Sequence, residues 1–189
     1  MAREEILVGP LEIYLAPRGE SFPALGTEPT ANWELLGASG TENQDEEGVV
    51  VSLPQSIEEF IGGGNTMAIK AWRTEEAVEV QVTVCDLRAE TLALALNDNP
   101  TTESTGQREV SLFRGIDVAE FALLARGQSP YEDDGDGQFQ VPACYTSGEP
   151  EINYNKGEPS SIEFNFRSLL PEGNEMDDFK VIYSDASVT

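Results

Sequence analysis

The chain has 189 residues, enough for one ordinary domain with a sizeable core and with little room for a second. Eleven Lys and Arg against thirty-five Asp and Glu give a formal charge of −24, so phosphate backbones and anionic membranes would both be repelled. The sequence contains no histidine, which excludes Ser-His-Asp and Cys-His nucleophile systems, the usual zinc sites and the commonest general base.

In chain order, residues 1–5 carry charge of both signs and lead into an alternating segment. This is unlike a signal peptide, no window approaches transmembrane length, and the chain is expected to be made in the cytoplasm. Gly9-Pro10 opens a first strand over 11–16, with Leu11, Ile13 and Leu15 on one face, and 33–36 is a second. An acidic, Gly-bounded stretch over 37–48 reads as a loop. Strands over 49–53 and 56–61 follow, separated by Pro54, which lacks a donor and marks a sheet edge or a bend. Gly62-Gly63-Gly64-Asn65 is the strongest turn signal, and it joins 56–61 to a strand over 66–73 as a hairpin with a long loop.

The clearest strand is 78–84, where Val78, Val80, Val82 and Val84 face one way and Glu79, Gln81 and Thr83 the other. Asp86 is placed to cap a helix over 87–96, which Asn97 and Asn99-Pro100 terminate. Strands are expected over 109–114, 119–126, 138–145, 160–168 and 178–184. Residues 116–126 also score as a short helix, with strand preferred. About ten strands and one helix predict a mainly β fold, an antiparallel β-sandwich or barrel with one flanking α-helix, in a single domain over 1–189.

Few residue groups carry chemistry. The loop 131–137 gathers acids around a glycine, as a calcium loop does, but Ala143 falls where an EF-hand needs its closing Glu. It reads as a solvated acidic turn, with Asp133, Asp134 and Asp136 the candidate cation ligands. The triglycine precedes a strand and lacks the Gly-Lys-Ser/Thr ending, so it is a turn and not a phosphate loop. Adjacent carboxylates such as Glu58-Glu59 and Glu75-Glu76 point to opposite faces of a strand and would not bracket a glycosidic bond. Cys85 and Cys144 lack CxxC spacing and read as buried free thiols, and Trp33 and Trp72 as core or interface anchors. No cofactor and no catalytic residue are expected.

The order of segments is distinctive. Val8-Gly9-Pro10-Leu11, Tyr14-Leu15-Ala16-Pro17, Trp33-Glu34-Leu35-Leu36-Gly37 and Glu47-Gly48-Val49-Val50-Val51 come first. Gln55-Ser56-Ile57-Glu58-Glu59-Phe60, Ile69-Lys70-Ala71-Trp72-Arg73-Thr74-Glu75-Glu76 and the Val-rich strand running into Leu92-Ala93-Leu94-Ala95-Leu96 follow. Over its first half the sequence resembles the major tail tube proteins of long-tailed phages, archaeal tailed viruses and gene-transfer particles. The resemblance implies a structural virion protein, a β-sandwich subunit whose hexameric rings stack into a tube through which DNA passes without specific binding. Its partners would be further copies and the proteins of the tail tip and terminator, with no membrane involved.

By position, the resemblance places an inter-ring loop over 37–54, with Glu42, Asp45, Glu46 and Glu47 as contact candidates. Polar faces of central strands would line the channel, with Glu58, Glu79 and Gln81 the candidates. The second reading is a capsid decoration or adhesion β domain with a weak cation site. An acidic wall suits a tube because phosphates slide past it without counterion-releasing contacts. A surface rich in acid and poor in lysine, with only Lys70, Lys156 and Lys180, also suits concentrated salt, where charges are screened. The first cause concentrates carboxylates on one sheet face, and the second spreads them over the whole surface.

Overall fold

The alternating segments form a mainly β fold in a computed structural model that describes residues 10–29, 32–131, 135–154, 156–157, 159–171 and 179–186. The strands are β1 (Glu12–Pro17), β2 (Glu34–Leu35), β3 (Gln44–Ser52), β4 (Gln55–Phe60), β5 (Lys70–Glu76), β6 (Glu79–Val84), β7 (Thr101–Ser104), β8 (Gln107–Val110), β9 (Glu120–Gln128), β10 (Asp136–Ser147), β11 (Ile152–Asn153), β12 (Ser161–Ser168) and β13 (Lys180–Tyr183). One α-helix among the described residues, α1 (Ala89–Ala95), follows β6. Nine strands make one antiparallel sheet in the order β2-β1-β9-β10-β12-β6-β3, with β11 beside β12 and β13 beside β10. The pairs β4-β5 and β7-β8 are separate two-stranded ribbons.

Strand β10 belongs to both halves of the sheet. It pairs with β9 from Asp136 to Tyr145, with β13 over Gly137–Gln140, and with β12 from Cys144 onward. The register slips between Val141 and Cys144, where Pro142 cannot donate to a ladder and the strand bends. The sheet thereby folds on itself as a sandwich. Ile13, Leu15, Leu123 and Ala125 meet Val80, Val82, Val84, Ile162, Phe164 and Phe166 in one core. The rings of Phe164 and Phe166 lie 5.8 Å apart and nearly parallel. From the helix, Leu92, Leu94 and Ala95 close the same core.

A second cluster of Ala16, Trp33, Ala122 and Leu124 lies on the other face of β1 and β9, under Tyr14 and Phe22. Strand β9 is therefore buried on both sides, which explains why 121–125 reads as a continuous apolar run and why strand prevails over helix there. Trp33 anchors the cluster, its indole N–H donating to the Ser21 carbonyl at 3.2 Å.

Three expectations are corrected. The loop expected over 37–54 is mostly regular: a 3-10 turn, Gly40–Asn43, leads into β3. Gln44 and Val49 on β3 face Val84 and Val82 on β6, five residues against two, so three extra residues bow out as an acidic bulge. β3 is the sheet edge, where solvent accepts both faces and charge replaces alternation, so an edge strand looks like a loop in sequence. The strand expected over 109–114 ends at Val110, because the chain turns at Gly106 (φ 78) into the unexpected hairpin β7-β8. Asp86 does not cap α1. Arg88 occupies that position, and the Asp86 carboxylate accepts from Arg88 N–H (3.1 Å), the Arg88 side chain (2.9 Å), Thr91 Oγ1 (3.1 Å) and Ala38 N–H (3.0 Å). Burial alone would raise its pKa, but these hydrogen bonds, led by Arg88, prevail and hold it below the ordinary carboxylate value.

Candidate assembly surface

Chain geometry makes the first surface. At Pro54 the backbone leaves the edge of the sheet, runs out along β4 and back along β5, and rejoins where Ala77 N–H donates to the Pro54 carbonyl at 3.1 Å. Every residue of β4 and β5 is exposed. A two-stranded ribbon has no core of its own and is marginal in isolation. Even so, it displays Ile57, Phe60, Ile61, Met67, Ile69 and Trp72, with Met67 at 78% and Trp72 at 43% exposure. Its internal support is polar: Arg73 donates to Gln55 (2.9 Å) and Glu76 (2.7 Å), and Arg167 of β12 reaches Glu75 at 2.5 Å. At the tip, Ile69 N–H closes onto the Phe60 carbonyl at 2.8 Å. A Cβ at Gly62 would sit 2.7 Å from the far end of the exposed Ile69 side chain, which would have to turn aside.

The hairpin follows the sequence reading, and its apolar exposure does not. Lacking alternation, β4 puts apolar groups on both faces; Glu58 faces Trp72 and Phe60 faces Lys70 across the ladder. Residues 60–74 contain no Asp or Glu but hold Lys70 and Arg73. In a chain of charge −24 this stretch carries +2.

A second apolar surface follows the helix. Asn97 and Asp98 adopt left-handed backbone (φ 74 and 54), which Asn tolerates better than most residues. The Asn97 amide donates to the carbonyls of Arg114 and Asp117, both at 2.8 Å, and its oxygen accepts from Ala119 N–H at 2.6 Å. Asn99 donates to the carbonyls of Ser111 (2.8 Å) and Phe113 (2.9 Å). Five side-chain bonds thus fix 111–118, although the segment has no ladder. What they hold outward is apolar: Leu112, Phe113, Ile116 and Val118, at 70, 86, 98 and 56% exposure. In the sequence both asparagines read only as a helix stop.

The remaining candidates are dispersed. Glu79 and Gln81 of β6 share the outer face of the sheet with Glu163 and Arg167 of the neighbouring β12; Gln81 donates to Glu163 at 2.8 Å and Arg167 approaches Glu79 at 3.3 Å. Glu58 stands apart from them on the ribbon. Glu42 lies in the 3-10 turn, and Asp45, Glu46 and Glu47 lie in the exposed bulge of β3. Asp133 and Asp134 lie outside the described residues, and Asp136 is an exposed residue at the start of β10. Among the described residues no group of three or more His, Cys, Asp or Glu could hold a metal ion.

Carboxylates occupy the bulge, both ribbons, the helix and the turns, so they are not gathered on one sheet face. A cleft of about 1030 Å³ separates the β1-β2 end from α1, and two acids on its wall, Glu90 and Glu120, are ion-paired with Arg108 and Arg18. Both cysteines are free: burial pushes the Cys144 thiol up to about 12, and Cys85 is raised by burial and by Asp45. Among the described residues no helix is long and apolar enough to cross a membrane.

No protein-family model matches the chain, and no curated protein matches it either.

Proposed function

We propose that this chain is a self-assembling structural subunit whose copies build a tube of stacked rings, the tail tube of a long-tailed virus or related particle. The observation that carries the reading is the β4-β5 ribbon. A monomer that keeps six large apolar side chains on an uncovered two-stranded arm exposes a surface of the kind that partner proteins bury. The resemblance of the first half of the sequence supplies the architecture: six copies to a ring, rings in a stack, DNA passing through the channel. The reading assigns no catalytic residue and no cofactor, and places the protein in the virion. The carboxylates, spread over strands, helix and turns alike, follow the pattern expected of a surface suited to concentrated salt, and the tube reading does not rest on them.

The test separates assembly from folding. Phe60, Met67 and Ile69 are 55, 78 and 61% exposed, and fully burying such a side chain is worth about 1.5–3 kcal/mol. Changing all three to Ser removes about 4 kcal/mol of association energy, nearly three decades in Kd. Sedimentation should find assembled wild type and a monomeric triple variant with an unchanged thermal midpoint. Equal assembly of the two proteins, or a triple variant that unfolds, would sink the reading.

A further inference from the structure

We infer that the ribbon tip of one copy docks on the 111–118 surface of the next, a head-to-tail interface between two different patches of the same chain. The inference rests on the self-assembly just proposed and names the surfaces that meet. Both patches are apolar, and in a single chain neither covers the other, since Met67 and Ile116 remain 78 and 98% exposed. Neither carries the net negative charge of the chain as a whole. The stretch 60–74 carries Lys70 and Arg73 with no acid, and 111–118 carries Arg114 against Asp117, a net of zero.

Within a chain of −24, most pairs of surfaces on two copies repel each other, and the acid-free tip is an exception. The target is also pre-organised: the Asn97 and Asn99 bonds order 111–118 before any partner arrives, so that cost is not met on binding. A contact between unlike patches leaves one of each free on every pair, so growth continues into a closed ring or an open filament.

Complementary capped variants test this. Met67→Glu/Ile69→Glu disables the tip, and Phe113→Glu/Ile116→Glu disables the target; all four positions are exposed, so both chains should retain the wild-type thermal midpoint. Each variant keeps one working patch. Sedimentation velocity in about 1 M salt, where the Debye length is about 3 Å, should find each variant monomeric alone. An equimolar mixture should give a one-to-one dimer that grows no further. A mixture that stays monomeric while wild type assembles overturns the inference and leaves the tube reading standing. Assembly by either variant alone also overturns it. A dimer from the mixture, beside wild type that forms only open chains, supports the docking and removes the tube. If wild type and mixture are both monomeric, both readings fall. Where a variant loses its fold, crosslinking replaces it: Met67→Cys mixed with Ile116→Cys should give the mixed disulfide in preference to like pairs, and like pairs alone would overturn the inference.

Discussion

Replacing Asn97 tests whether the 111–118 surface is built or merely left over. The residue sits at φ 74 and makes three bonds to backbone groups of 114–119. Each is worth about 0.5–1.5 kcal/mol, at the lower end here because the site is partly open to water. A Cβ-bearing residue without a local polar partner costs a further 1–2 kcal/mol, roughly, in the left-handed region, and glycine does not. Asn97→Gly should therefore lose about 2 kcal/mol and Asn97→Ala about 3–4 kcal/mol. Asn97→Asp keeps the acceptor for Ala119 but aims a carboxylate oxygen at two carbonyls, so it should be no more stable than the glycine variant. Urea titration gives the three values, and amide exchange over 112–119 locates the loosening. If alanine and glycine agree within about 0.5 kcal/mol, or exchange at those amides is unchanged, the clamp does not hold the surface as described.

The folded-state pKa of Asp86 lies below its unfolded value, so its contribution is present above the unfolded pKa and is lost as pH falls through the folded one. Asp86→Asn should cost about 2–3 kcal/mol at neutral pH, and acid titration of both proteins should show the gap closing below about pH 4. Phe164 is fully buried in the sandwich core, and Phe164→Ala should cost about 3–5 kcal/mol, which calorimetry would register as a fall of about 6–20 °C. With carboxylates spread over the surface, raising salt from about 0.1 M to about 1 M shortens the Debye length from about 10 Å to about 3 Å and should raise the urea midpoint. A flat or falling midpoint would remove self-repulsion as a cost of the acidic composition.

What the sequence makes legible follows from burial. Val80, Val82 and Val84 alternate because one side of β6 is core and the other is solvent, and Ile162, Phe164 and Phe166 do the same on β12. β9 and its double burial were harder, since two apolar faces erase the period that distinguishes strand from helix. Edges fail for the opposite reason. Asp45, Glu46 and Glu47 belong to a strand that only one neighbour constrains, and nothing in their alternation reports it. The triglycine marks the ribbon turn, but that β4 and β5 stand clear of the sheet is a statement about missing neighbours, which local pattern does not encode. The 111–118 surface depends on two asparagine side chains reaching 12 to 22 residues along the chain, and a helix stop looks the same with or without those bonds.

Electron microscopy of the wild-type chain, concentrated in about 1 M salt so that repulsion is screened, tests the central claim most directly. The account predicts hollow rings of six subunits and short stacks of them, absent from the Phe60→Ser/Met67→Ser/Ile69→Ser variant. A field of folded monomers from the wild type, or rings that persist in the variant, would contradict it.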